Sequence, residues 1–241
     1  MRSARTLLLA ALLAPALPTE VEAQGRPTLA AADLDPKEWA VPFGARTRPR
    51  DPYADPQGRV WFVGQAGNYV AYLDSRTGEF KRFEIEAGTH PHNLVVHDGA
   101  VWFTDPTYGI LSDYEGHAAP PEQDANAVYR IPPGGGEPER VATGFVQPNG
   151  LAFSPDERLL YVAESGRSHD PDLPAVLRVF DAKGGRLGEG RDFAAIDTGI
   201  PDGLRVDASG HVWCSAGDGV HVFHPDGTLL GKVLVPETVA N

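Results

Sequence analysis

The chain is short of three things, and each shortage excludes something. It has one cysteine, Cys214, so no disulfide forms within it. Cys214 stands in an apolar stretch with no neighbouring base, the setting of a small core residue. It is short of positive charge, with 21 Lys and Arg against 33 Asp and Glu and a net charge of −12. A phosphate backbone is bound through a basic face, so a nucleic-acid partner is not expected. It also lacks an apolar run fit to cross a membrane. The candidate, residues 6–17, is broken by Pro15 and followed by Pro18, and falls short of the roughly 20 residues a spanning helix needs. With Arg2 and Arg5 before it and the small-residue site Val21-Glu-Ala23 after it, this run reads as a signal peptide over residues 1–23. The protein is then expected to be exported, periplasmic or secreted, with no membrane anchor.

Glycine and proline are plentiful. Across 241 residues there are 27 Gly and 22 Pro, with 41% hydrophobic residues, enough for a sizeable core punctuated into many short strands. One phrase repeats. Gln147-Pro-Asn-Gly leads through an apolar strand and a Ser154-Pro-Asp-Glu turn into Leu160-Tyr-Val-Ala-Glu164. Arg48-Pro-Arg-Asp, His90-Pro-His-Asn and Ile200-Pro-Asp-Gly open similar phrases, which run into Val60-Trp-Phe-Val63, Val101-Trp-Phe-Thr104 and Val212-Trp-Cys-Ser215. A period of roughly 40 to 50 residues with four short strands in each marks an all-β protein, a β-propeller of four-stranded blades. The blades are expected at about 48–86, 90–143, 147–196 and 200–236, within a domain spanning 38–241 that follows a linker at 24–37. Residues 38–43 read as an edge strand, because Pro42 lacks a backbone donor.

The third residue of each opening is Arg50, His92, Asn149 and Asp202. In a propeller the first strand of each blade lines the central channel, so these four are expected to converge on one axis. Buried polar groups cost free energy unless they are paired or metal-bound, which makes the set a candidate site. The plainer reading is turn chemistry, since Asn and Asp favour turns. Two insertions follow second strands. Residues 112–126 are a candidate substrate lid, and residues 165–174 carry His169, a candidate ligand contact.

From about Val101 onward the chain resembles the gluconolactonase/senescence-marker-protein/luciferin-regenerating family. The residues that carry the resemblance are Phe103-Thr-Asp-Pro-Thr-Tyr-Gly109, Pro148-Asn-Gly-Leu-Ala-Phe-Ser-Pro-Asp156, Pro201-Asp-Gly-Leu204 and Trp213-Cys-Ser-Ala-Gly-Asp-Gly219. Before that, Arg48-Pro-Arg-Asp-Pro-Tyr53, Gly58-Arg-Val-Trp-Phe-Val-Gly-Gln65 and His90-Pro-His-Asn93 are similar to streptogramin (virginiamycin B) lyase propellers. The lactonase resemblance implies a six-bladed propeller with a divalent cation, usually calcium, in its channel, and hydrolysis of a sugar lactone or related ester. About four full blades are visible, so the six-bladed ring is expected to be incomplete. The resemblance carries the ligand Asn to Asn149 and the ligand and general-base Asp to Asp202. The family's first-blade Glu has no counterpart, and His92 takes the register of a second ligand Asn, with Asn93 one step on.

The expected site is therefore Asn149, Asp202, His92 and Asn93 for the metal, Asp202 and His92 for catalysis, and Arg50, Tyr108 and His169 for substrate. Calcium takes six to eight oxygens. A histidine ligand suits zinc or manganese better, so Zn2+, Mn2+ and Mg2+ stand as alternatives. Two rival readings remain at this level: a lyase with His92 as base, and a non-catalytic ligand-binding propeller. The expected partner is a small lactone or ester, and the expected state is a monomer.

Overall fold

Each opening-turn-strand phrase becomes one antiparallel sheet in the computed structural model, which describes residues 37–113 and 118–240. The first blade is β1 (Pro49–Ala54), β2 (Arg59–Gly64), β3 (Tyr69–Asp74) and β4 (Phe80–Glu84). The second is β5 (Asn93–His97), β6 (Ala100–Asp105), β7 (Ala127–Ile131) and β8 (Glu139–Ala142). The third is β9 (Pro148–Phe153), β10 (Leu159–Glu164) and β11 (Val176–Lys183), with the short β12 (Arg186–Leu187) and β13 (Arg191–Ala195) both pairing with β11. The fourth is β14 (Leu204–Val206), β15 (Val212–Ala216), β16 (Gly219–Phe223) and β17 (Leu229–Leu234). Pairing is antiparallel throughout.

A repeated turn device explains why the phrase recurs. In the first blade Asp55 accepts the indole N–H of Trp61 at 2.8 Å and the backbone N–H groups of Gln57 and Arg59. In the fourth, Asp207 accepts the indole N–H of Trp213 at 3.0 Å and the N–H groups of Ser209 and His211. One carboxylate thus closes the turn and pins the next strand's tryptophan. The second blade has His97 at this place, and the Trp102 indole nitrogen is left without a hydrogen-bond partner among the described residues. Trp102 is held by packing instead, 1% exposed and edge-on to Phe153.

The core lies between blades. Val63, Val70, Leu94, Val101 and Phe103 join the first to the second. Trp102, Val128, Leu151 and Leu160 join the second to the third, and Leu177, Val179, Leu204, Cys214 and Phe223 join the third to the fourth. Fully burying one such aliphatic or aromatic side chain is worth about 1.5–3 kcal/mol, so these seams supply most of the fold's cohesion. Burial pushes the Cys214 thiol up to about 12, consistent with an inert core residue.

Residues 38–43 differ from expectation, because no strand forms there. Val41 and Phe43 instead pack on the remaining face of the first blade, against Phe62, Tyr69 and Phe80. Pro42 cannot donate to a ladder, and two apolar side chains gain more by covering a sheet face than by extending its edge. The signal peptide over 1–23 and the linker at 24–37, Lys37 apart, lie outside the described residues. Among those residues no helix is long and apolar enough to cross a membrane.

The first strands β1, β5, β9 and β14 are consecutive neighbours. They line an open-sided pocket of 460 Å³, walled by residues such as Tyr53, Val95, Ala152 and Leu204. On each strand the opening residue singled out by the repeat stands just before the wall.

Candidate functional site

Close approach of two strands builds the centre. A Cβ on Gly150 would collide with the Asp202 carbonyl and meet Gly203 Cα at 3.0 Å. Glycine at 150 lets the backbone N–H of Gly150 donate to Asp202 O at 3.0 Å, which sets Asn149 beside Asp202. Only a residue without a side chain permits that approach. Ser165 adds a short hydrogen bond from its hydroxyl to Pro201 O, and the Glu164 carboxylate accepts the N–H groups of Val146, Gln147 and Gly166. The Asn149 opening is thus tied from both sides.

Asn149 is 3% exposed, and its Oδ1 has no hydrogen-bond partner among the described residues. A buried carbonyl oxygen without a donor costs about 1–3 kcal/mol. Such a group calls for a ligand.

His92 is the opposite case. It is 4% exposed, and its Nδ1 lies 3.1 Å from Arg50 Nη1 and 3.1 Å from Gln65 Nε2. Burial, with the positive charges of Arg50 and Arg48, drives its pKa down to about 3, so the imidazole is neutral. Arg50 also binds Asp51 Oδ2 through Nε at 2.7 Å and Gln65 Oε1 through Nη1 at 3.3 Å. Its neighbours Arg48 and Asp51 take left-handed backbone angles, φ 50 and φ 52, a conformation that costs non-glycine residues free energy. The register of β1 against β2 also shifts between Arg50 and Tyr53. Local strain is accepted where Arg50 is aimed.

Tyr108 opens the one-turn helix α1 (Tyr108–Leu111). Its ring lies 5.2 Å from the His92 ring and 5.5 Å from the His169 ring. Ser168 Oγ lies 2.9 Å from its hydroxyl and 2.8 Å from His169 Nδ1. Gln147 accepts the Thr107 N–H on Oε1 and donates from Nε2 to Thr107 Oγ1 at 2.6 Å; that same Nε2 lies 3.1 Å from His169 Nε2. The insertion at 165–174 therefore reaches the second blade through His169. Burial raises the Tyr108 phenol.

The structure thus brings His92, Asn149, Asp202, Arg50, Tyr108 and His169 to one end of the inner strands. Asn93 is placed differently. Its amide nitrogen faces Asp51 Oδ1 at 3.5 Å, beside the Arg50–Asp51 pair. Arg50, expected to bind substrate, is engaged with protein groups on both Nε and Nη1. Of the expected lid at 112–126, residues 114–117 lie outside the described residues. Its flanks are tied by Ala119 N–H to Ile110 O and Asn126 Nδ2 to Val146 O. Sequence reasoning missed Gln65, Gln147 and Ser168 as site residues. The available signal was position, since Gln65 follows the end of a second strand, the level at which Glu164 and Ser165 act in the third blade.

Among the described residues, the His/Asp/Glu group whose ligand atoms converge closely is elsewhere, at Asp197, Asp218 and His221. There Lys232 Nζ already sits 2.6 Å from Asp197 and 2.9 Å from Asp218, and His221 Nε2 lies 2.6 Å from Asp218. The ammonium supplies the cation. In the channel the fitting donors are the Asn149 amide oxygen and the Asp202 carboxylate, hard oxygens suited to calcium or magnesium.

Four-stranded blades whose first strands carry a polar cluster to one end of a shared cavity define the β-propeller class. The chain belongs to the SMP-30/gluconolactonase/LRE-like family, whose pattern it matches over residues 68–241. It is 30% identical over 195 residues to a gluconolactonase of Zymomonas mobilis, covering 74% of this chain and 52% of that protein. A gluconolactonase structure from Xanthomonas campestris superposes with a TM-score of 0.71 at 35% identity, over 80% of this chain and 64% of that one. A virginiamycin B lyase from Staphylococcus aureus shares the fold, with a TM-score of 0.60 at 17% identity. This chain therefore spans about half to two thirds of the length of the two gluconolactonases it matches.

Proposed function

We propose that the protein is a metal-dependent hydrolase of sugar lactones, with Asn149 and Asp202 holding a calcium ion. The observation that carries the reading is the buried Oδ1 of Asn149, which has no hydrogen-bond partner among the described residues, on a backbone tied to Asp202. Similarity to two gluconolactonases supports the substrate class. When bound, the cation polarises the lactone carbonyl and lowers the pKa of a neighbouring water.

The chain's own residues carry the proton. Asp202 accepts a proton from water as its oxygen bonds to the carbonyl carbon, and the carbonyl π electrons move to the carbonyl oxygen. When that oxyanion collapses, the ring C–O bond breaks and the proton held by Asp202 passes to the leaving ring oxygen. One water is consumed and a hydroxy acid is released. Tyr108 and His169, at the same end of the channel, contact the sugar. If residues 1–23 are cleaved as the expected signal peptide, the exported protein meets millimolar calcium, where even a site with Kd of about 10⁻⁴ M fills.

The test is hydrolysis of δ-gluconolactone followed by acid release. Turnover is expected with calcium, to be lost with chelator and in Asp202→Asn. Turnover indifferent to both would sink the reading.

A further inference from the structure

The partners of His92 decide where its proton sits. Arg50 is a guanidinium, with donors only, so its Nη1 donates to His92 Nδ1. Gln65 Oε1 receives Arg50 Nη1, which turns its Nε2, also a donor, to the same Nδ1. The reverse amide orientation would set N–H against N–H at Arg50. Two donors on Nδ1 require it to be the acceptor, and a neutral imidazole then carries its proton on Nε2. The Nδ1 edge is closed by Arg50 and Gln65, the latter fully buried. The rest of the ring faces Tyr108 and the Asn149 amide.

We propose that His92 serves as a neutral hydrogen-bond donor, its Nε2–H holding the lactone carbonyl oxygen as negative charge develops there, with Arg50 and Gln65 as the positioning residues that keep the proton on Nε2. A nitrogen that already bears a proton neither accepts one from a substrate nor ligates a metal. His92 is therefore neither the base nor the metal ligand that the sequence suggested, and the elimination reading loses its base. Asn149 and Asp202 are left to the cation and the water in the lactonase reading, and the side held by Arg50 and Gln65 donates. Preorganised donors aimed at a developing oxyanion are worth about 10²–10³ in kcat each. The catalytic part of this proposal rests on the lactonase reading; the position of the proton does not.

Two experiments on the full chain separate them. The first is ¹⁵N NMR of histidine-labelled protein, with the His92 signals assigned by their loss in His92→Gln. The expected result is a protonated Nε2 and an unprotonated Nδ1, in the wild type and equally in Asp202→Asn, where turnover is absent. A proton on Nδ1, or on both nitrogens, overturns the proposal. The second is δ-gluconolactone kinetics of His92→Gln and His92→Glu, with the fold of each checked by its melt. The Gln side chain reaches the same place with an amide N–H and cannot act as a base. It is expected to keep kcat within about tenfold, while His92→Glu, an acceptor at the same reach, loses about 10²–10³. The reverse order would make His92 a base and overturn the proposal. If neither variant folds, the NMR result on the wild type decides. A wild type with the expected proton position and no lactone turnover would leave the proton where we place it and remove the catalytic role together with the lactonase reading.

Discussion

His92 and Asn149 occupy the same register on neighbouring inner strands, both almost fully buried, yet their surroundings differ. His92 has two donors converging on one nitrogen, behind them an Arg50–Asp51 pair. Asn149 has a carbonyl oxygen with no hydrogen-bond partner among the described residues, and the free edge of the His92 ring faces its amide. The same contrast runs through the carboxylates that hold the two openings. On the Asn149 side Glu164 accepts three backbone N–H groups, whereas on the His92 side Asp105 accepts one, from His90 at 2.8 Å. The rigid frame thus surrounds the oxygen that lacks a partner. A group left unsatisfied by the fold must be held in place by something else if it is to remain ready for a ligand.

The comparison can be broken in several places. The largest effect is expected on the Asn149 side, where Asp202→Asn removes both the proposed general base and a charged oxygen. A fall in kcat of about 10²–10⁴ is expected, measured by acid release from δ-gluconolactone. Next is Glu164→Gln, which sets an amide NH₂ against backbone N–H groups that a carboxylate now satisfies. Leaving a buried donor unmet costs about 1–3 kcal/mol, so the melting temperature should fall, and by more than for Asp105→Asn. Equal losses would mean that the two carboxylates do the same work. Asn149→Leu should move stability the other way. Removing an orphaned oxygen raises the stability of the metal-free protein by up to about 1–3 kcal/mol, while the response to calcium disappears. A destabilised Asn149→Leu would show that Oδ1 is already satisfied.

The last effect is on pH dependence. Burial raises the Asp105 carboxyl to about 7, so between about 4 and 7 the folded state binds the extra proton and stability falls as pH rises. His92, lowered to about 3, acts with the opposite sign. Below its unfolded value near 6.5 the unfolded chain binds the extra proton, and stability falls as pH drops. Asp105→Asn keeps an acceptor for the His90 N–H and removes only the first effect. The variant should gain on the wild type as pH rises from about 4 to 7, read from denaturant melts across that range. A parallel pair of curves would contradict the shift assigned to Asp105.

Much of the fold was legible in the sequence because turn chemistry repeats. Asp55 and Asp207 each pin a tryptophan, so Asp-x-x-Gly before Val-Trp announced two blades, and alternation within strands gave the rest. Residues 38–43 misled because Val41 and Phe43 carry an apolar alternation that serves packing as well as pairing, and only the exposed face of the first blade decides between them. In the candidate site, Asn149 and Asp202 stood out by their register in the repeat and by the family resemblance, and the structure adds the close approach at Gly150 that holds their backbones together. Gln65 was not, because a glutamine at a strand end looks like any polar cap until Arg50 and His92 are seen on either side of it. His92 stood out by its register, but Arg50 and Gln65, the partners that meet its Nδ1, lie far from it in sequence.

The central claim is that the unpartnered oxygen of Asn149 is kept open for a cation, and a thermal melt with calcium and with chelator tests it most directly. For the wild type we expect calcium at 100 times its Kd to add about 2.7 kcal/mol, seen as a higher midpoint, with no shift in Asn149→Ala or Asp202→Asn. A calcium shift of the same size in all three proteins, or none in the wild type, would contradict the account.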